Sequence, residues 1–138
     1  QYIARFVAEY PVLEVVNLID HPSEYAMVQN NLGNALQSAS SSHVLENLLR
    51  ALAAYDEALK VRNPRDTPLA YANTIANKAN VLHVAQADLR DPLAEALALV
   101  REAGALFAQH GEADKAALMR QAAAEIDAEL AQRRRLAG

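Results

Sequence analysis

The chain contains no cysteine and no tryptophan, and aromatic residues make up only 5% of its 138 residues. Without a thiol the protein cannot form a disulfide, a thiolate metal site or a cysteine nucleophile. This composition is typical of a reducing compartment, and we expect a cytoplasmic protein. Because large rings are scarce, we expect a core built from many small Leu, Val and Ala contacts between neighbouring elements.

A basic excess and long apolar runs are also missing. The formal net charge is -4, whereas nucleic-acid-binding domains normally carry a basic face. The one basic run, Arg133 to Arg135, is expected to be a solvated tail. The apolar stretch from Val12 to Ile19 is interrupted by polar residues and is far shorter than the roughly 20 residues of a membrane span. We therefore expect neither a nucleic-acid partner nor a membrane.

Apolar residues recur at helical spacing along the chain, and strict alternation is absent, so the predicted class is all-α. Pro22, Pro68 and Pro92 suit the first turn of a helix, where the missing N–H costs nothing. Thr67 and Asp91 precede two of these prolines as expected N-caps, and Asn63-Pro64 and His110-Gly111 are expected helix stops. Pro11 either kinks the first element or splits it in two, and the sequence leaves both readings open.

A phrase of 17 residues that starts at Asp20 occurs a second time, 46 residues further on. Such self-similarity indicates a repeat architecture, in which each unit packs on its neighbour. The identities at this offset are Asp20/Asp66, Pro22/Pro68, Tyr25/Tyr71, Ala26/Ala72, Asn31/Asn77, Asn34/Asn80 and Leu36/Leu82.

The first copy and the element after it contain Leu32, Gly33, Ala51, Tyr55, Ala58 and Pro64. At these positions the chain resembles a tetratricopeptide repeat, closest to the long-period, Asn-rich bacterial versions that are similar to kinesin light chain repeats. The resemblance implies antiparallel helix hairpins stacked as a short right-handed superhelix. It also implies a protein-binding module, often part of a larger signalling or scaffold protein.

The resemblance divides the single domain into five parts. Residues 1–19 would be the second helix of a truncated preceding repeat, 20–65 the first repeat and 66–110 the second. Residues 111–132 would be a capping helix and 133–138 a tail. In the second repeat Lys78 stands where the family has an apolar residue. Either its stem is buried with the ammonium in water, or the helix is rotated relative to the family pattern.

In this family the first helix of each pair lines a concave groove that binds peptides. Asn31 and Asn34 are three residues apart, as are Asn77 and Asn80, so each pair shares a helix face and offers amide donors and acceptors to a peptide backbone. The alternative is that these amides bond to neighbouring helices or face water. The predicted partner-binding residues are Met27, Asn30, Asn31, Asn34, Gln37, Asn73, Asn77, Asn80 and His83.

The pattern does not favour an enzyme. The four histidines are far apart in sequence without acidic companions at metal-ligand spacing, so we expect no metal and no cofactor. Glu125, Asp127 and Glu129 alternate along one predicted helix and are expected to be solvated. The competing hypothesis is self-association as a homodimer through residues such as Tyr2, Phe6 or Val12.

Overall fold

The computed structural model of the protein describes residues 18–38, 43–85 and 92–137. These residues form helices and no strand, which confirms the all-α class. The helices are α1 (Pro22–Ser38), α2 (Val44–Ala58), α3 (Pro68–Val84), α4 (Pro92–Gln109) and α5 (Ala113–Ala137). The question of Pro11, the N-cap expected at Asp91 and the self-association residues Tyr2, Phe6 and Val12 lie outside the described residues.

Three helices begin at proline, as predicted, because Pro22, Pro68 and Pro92 are the first residues of α1, α3 and α4. Thr67 occupies the N-cap position of α3, but its hydroxyl makes no capping bond to the helix. Instead its Oγ1 accepts from the Asn63 backbone N–H at 2.9 Å and donates to the Asn63 carbonyl at 3.1 Å. The hydroxyl therefore closes the preceding turn rather than capping the helix.

The turn between α2 and α3 is organised by Asn63. Its side-chain Oδ1 accepts from the backbone N–H groups of Arg65 at 3.0 Å and Asp66 at 2.7 Å. An Asn side chain commonly replaces a backbone acceptor in this way within a turn. Helix α2 nevertheless ends earlier, at Ala58, so the Asn63-Pro64 pair shapes the turn that follows and is not the helix stop that the sequence predicted.

Gly111 ends α4 in the left-handed conformation, with φ of 79°. The Glu112 N–H donates to the Phe107 carbonyl at 2.8 Å, and the Gly111 N–H donates to the Ala108 carbonyl at 3.4 Å. This pair of bonds is the Schellman arrangement, which satisfies carbonyls at a helix end and favours glycine. The predicted left-handed stop is confirmed.

The last helix does not end at residue 132 as predicted, since α5 continues to Ala137. Gln, Arg, Leu and Ala are good helix formers. Arg134 and Arg135 lie in the last turn, where positive charge stabilises the carbonyl end of the helix. The basic run is therefore an exposed helical end rather than an extended tail.

Helices α3 and α4 run antiparallel. Tyr71 and Lys78 of α3 meet Glu102 and Glu95 of α4, so the contacts advance along one helix as they retreat along the other. Among the described residues the core consists of three apolar clusters, which include Leu32 and Leu48 between α1 and α2, and Phe107 between α3, α4 and α5. Fully buried alanines, among them Ala51, Ala54, Ala58, Ala72, Ala96 and Ala103, occur in these helix contacts. This agrees with the expectation of a core made from small residues.

Candidate functional site: an amide-rich surface across two parallel helices

Helices α1 and α3, the two copies of the repeated phrase, lie side by side and run in the same direction. Asn77 Nδ2 donates to Asn30 Oδ1 at 3.3 Å, and Asn80 Nδ2 donates to Gln37 Oε1. The contacts advance along both helices in the same sense, from Asn30 to Gln37 on α1 and from Asn77 to Asn80 on α3, as expected for parallel neighbours. Four of the predicted binding residues are thus brought into direct contact across the boundary between the two copies.

Tyr55 of α2 forms hydrogen bonds with two amide side chains of α1. Its hydroxyl donates to Asn34 Oδ1 at 2.7 Å and accepts from Gln37 Nε2 at 2.9 Å. The Tyr55 side chain is fully buried, and burial raises its pKa to about 12. The neutral hydroxyl is therefore a permanent donor near neutral pH and holds both amides in one orientation.

Asn30 is more deeply placed than the other predicted residues, with only 9% of its surface exposed. Its Oδ1 also accepts from Thr74 Oγ1 at 3.0 Å, and Thr74 in turn accepts from Arg62 Nη1 at 2.9 Å. Burial lowers the pKa of Arg62. Asn30 is therefore better placed to link α1 to α3 than to contact a partner. This is the alternative stated for the asparagines, in which they bond to neighbouring helices.

Other predicted residues point away from this internal network. Met27 is 50% exposed, Asn31 is exposed, and Asn73 is partly exposed. Within the described ranges neither Asn31 nor Asn73 makes a side-chain hydrogen bond. Asn73 and Asn80 are seven residues apart and share one face of α3, while Met27 and Asn31 share one face of α1. We call Asn31, Asn34, Asn73, Asn77 and Asn80 the amide row.

His83 extends the surface towards α5. Its Nε2 lies 2.8 Å from Glu129 Oε1. Two residues earlier on α5, Asp127 Oδ2 accepts from Arg101 Nη2 of α4 at 2.9 Å. Asp127 and Glu129 remain partly exposed, and each also contacts a different neighbouring helix, because their spacing directs them to opposite sides of α5. Neither pairing could be predicted from the spacing of residues, since each partner lies on a different helix.

Lys78 lies between two carboxylates, with its ammonium 2.8 Å from Asp56 Oδ1 of α2 and 3.5 Å from Glu95 Oε2 of α4. Burial acts to lower its pKa, but the hydrogen bonds and charges of Asp56 and Glu95 outweigh this, so the pKa is raised. The side chain is 17% exposed and both carboxylates are about half exposed. This corresponds to the first alternative for Lys78, a buried stem with its charged end near the surface.

In each of the two repeated helices, a tyrosine donates a hydrogen bond to a glutamate near the end of the next helix or within it. The Tyr25 hydroxyl donates to Glu57 Oε1 at 2.6 Å, and the Tyr71 hydroxyl donates to Glu102 Oε2 at 2.9 Å. Burial, followed by the hydrogen bond and charge of the nearby glutamate, raises the pKa of Tyr25 and takes that of Tyr71 to about 12. The two tyrosines of the repeated phrase thus make similar contacts, with glutamates that are 45 residues apart.

The described residues contain no group of three or more His, Asp or Glu side chains that could hold a metal ion. None of the described helices combines the length and the hydropathy that crossing a bilayer requires. Comparison with known proteins yields no matching family model, no similar curated protein and no similar solved structure. The resemblance to tetratricopeptide repeats therefore stays a prediction drawn from the repeated residues.

Proposed function

We propose that the chain is a protein-binding module of tetratricopeptide type, which holds an extended peptide along the amide row. The observation that carries this proposal is the pair of contacts Asn77 to Asn30 and Asn80 to Gln37. They support a parallel arrangement of the two copies, in which their amides would form one continuous surface. A short solenoid of helix hairpins would have this arrangement.

The internal hydrogen bonds leave binding capacity in the amides they orient. Asn34 uses its oxygen to accept from Tyr55, which leaves both of its N–H donors for a ligand. Asn80 uses one N–H towards Gln37, which leaves its oxygen as an acceptor. A surface whose side chains are already fixed loses less conformational entropy when a ligand binds. The amide row therefore offers donors and acceptors in positions set before binding.

An extended peptide backbone is the ligand that such a surface recognises best. It presents one donor and one acceptor per residue, whatever its sequence. Exposed Met27 adds apolar contact at one end of the surface, and a flexible thioether side chain adapts to varied partners. Selectivity would then come from the few apolar and charged groups around the row, such as the His83 and Glu129 pair.

Selection of peptides from a displayed random library on the purified chain tests this function. Binding of the selected peptides is then measured to an Asn31→Ala/Asn73→Ala double variant, which leaves the internal hydrogen bonds intact. We expect at least tenfold weaker binding with unchanged helicity. Asn47→Ala on α2 is the matched control and should bind as the unaltered chain does. Failure to select any peptide, or equal affinity in the double variant, would contradict the proposal.

A further inference from the structure

Helices α4 and α5 leave a cleft of about 290 Å³ between them. It lies on the side of α5 opposite to α3. Arg101 and Arg120 stand among its lining residues. The rest of the lining is small or apolar and consists of Val100, Gly104, Ala105, Ala108, Met119 and Ala123. The cleft thus combines an apolar floor with two cationic groups.

This cleft is separate from the amide row. Glu129 of α5 contacts His83 of α3, whereas Asp127 contacts Arg101, which lines the cleft. Residues two apart on a helix are about 200° apart around its axis. The α3 side of α5 therefore belongs to the amide-rich surface, and the opposite side belongs to the cleft.

The molecule itself offers one example of a helix that packs against two others. Helix α4 packs on α3, and the cluster that it forms there also takes in Leu52 of α2. The α4 positions Ala96 and Ala103 are fully buried, and two carboxylates flank them. Glu95 faces the Lys78 ammonium and Glu102 accepts from Tyr71. A helix with small residues at its centre and acids seven residues apart thus suits this kind of surface.

We infer that the α4/α5 cleft is a docking site for one helix of a partner protein, with alanine-sized residues on its inner face and carboxylates beside them. Small residues on both sides let helix axes approach closely. Arg120 is exposed and has no ion-pair partner within the described part of the chain, so a carboxylate of the incoming helix would supply one. A bidentate Arg–carboxylate pair adds orientation as well as attraction.

A labelled synthetic peptide with the α4 sequence, residues 92–109, is a suitable probe because it carries this pattern. We expect saturable binding to the whole chain, measured by fluorescence anisotropy. Ala108→Arg should weaken binding at least tenfold, because the long side chain fills the cleft. Ala108 is exposed, so the fold tolerates the change, and circular dichroism verifies this. Ala35→Arg, an equal change at an exposed position of α1 beside the amide row, is the control and should have no effect.

Charge reversal tests the role of Arg120 separately. Arg120→Glu should weaken binding of the probe. A peptide with arginine in place of Glu95 or Glu102 should recover part of the lost affinity. The inference is overturned if the probe shows no saturable binding, or if Ala108→Arg binds it as well as the unaltered chain. It is also overturned if sedimentation shows self-association that Ala108→Arg abolishes, since the occupant would then be a second copy. None of these results depends on the amide row.

Discussion

The ring of Tyr55 occupies the space that a side chain on Gly33 would need. A Cβ built on Gly33 would lie 2.5 Å from Tyr55 Cε1 and 2.7 Å from Cζ. Both residues belong to the set by which the sequence resembles tetratricopeptide repeats. The close approach also carries the Tyr55 hydroxyl to Asn34 and Gln37, so a packing contact inside the first hairpin positions the amides on its surface.

Gly33→Ala should therefore lower the free energy of unfolding by about 1–3 kcal/mol, the usual cost of overpacking a core. The gain of about 1 kcal/mol from replacing glycine inside a helix acts against this loss. Gly104→Ala is the matched control, because its new Cβ would meet the flexible Met119 side chain, with Cβ at 3.1 Å and Cγ at 3.9 Å. We expect the control to be neutral or stabilising in urea denaturation. Equal effects of the two changes would show that Tyr55 does not determine the requirement for glycine.

Gln29 should be a source of instability. Its side chain is fully buried, and neither its oxygen nor its nitrogen has a hydrogen-bond partner among the described residues. It lies near Tyr25 and slightly lowers that pKa, but without hydrogen-bond geometry. We expect Gln29→Leu to raise the free energy of unfolding by about 1–3 kcal/mol, since an unpartnered buried polar group carries a desolvation cost of that order.

Gln37→Leu is the contrasting variant for this measurement. The same chemical change at Gln37 removes its bonds to Tyr55 and Asn80, so it should destabilise the chain. If Gln29→Leu also destabilises, the buried amide makes a stabilising contact in solution.

Alkaline pH should lower the free energy of unfolding, because it weakens the hydrogen bonds that Tyr25 and Tyr71 donate to neighbouring helices. Tyrosines of an unfolded chain titrate at about pH 10, whereas the folded chain raises the pKa of Tyr25 and takes that of Tyr71 to about 12. The unfolded state therefore loses its tyrosine protons first. The stability that these hydroxyls contribute is complete below about pH 10 and is lost as the pH rises towards their pKa values in the folded chain.

The measurement is the free energy of unfolding as a function of pH. Tyr25→Phe/Tyr71→Phe should be less stable than the unaltered chain near neutral pH and should show a shallower decline above about pH 10. Glu57→Gln keeps a side-chain acceptor for Tyr25 but removes the charge, and it should also flatten the curve. An identical slope in all three proteins would mean that these hydroxyls do not cause the alkaline loss.

Gly111→Ala should cost about 1–2 kcal/mol, because an L side chain is strained in the left-handed conformation. A Cβ built on Gly111 would meet no atom within 4 Å, so this cost comes from the backbone and not from a clash. Gly111→Asn should recover part of the loss, since asparagine tolerates this conformation better. Thermal unfolding monitored by circular dichroism distinguishes the two variants. A stable Gly111→Ala chain would show that the α4 end adopts another turn.

The sequence by itself determined the all-helical class, the helix starts at Pro22, Pro68 and Pro92, and the stop at Gly111. These are local properties, because a missing N–H or a positive φ acts within one turn of the chain. The repeated phrase likewise indicated that two helices would be used in the same way, and the paired tyrosine contacts agree with this. It could not show how far α5 continues, since nothing after residue 132 breaks a helix before Gly138.

Only the tertiary structure decided what each amide does. Asn30 and Asn31 are neighbours of the same type, yet one is buried against α3 and the other is exposed, because each step along a helix turns the side chain by about 100°. The pairing of Lys78 with Asp56 and of His83 with Glu129 likewise joins separate helices. Such contacts depend on how helices are placed in space, and the spacing of residues along a chain does not contain that placement.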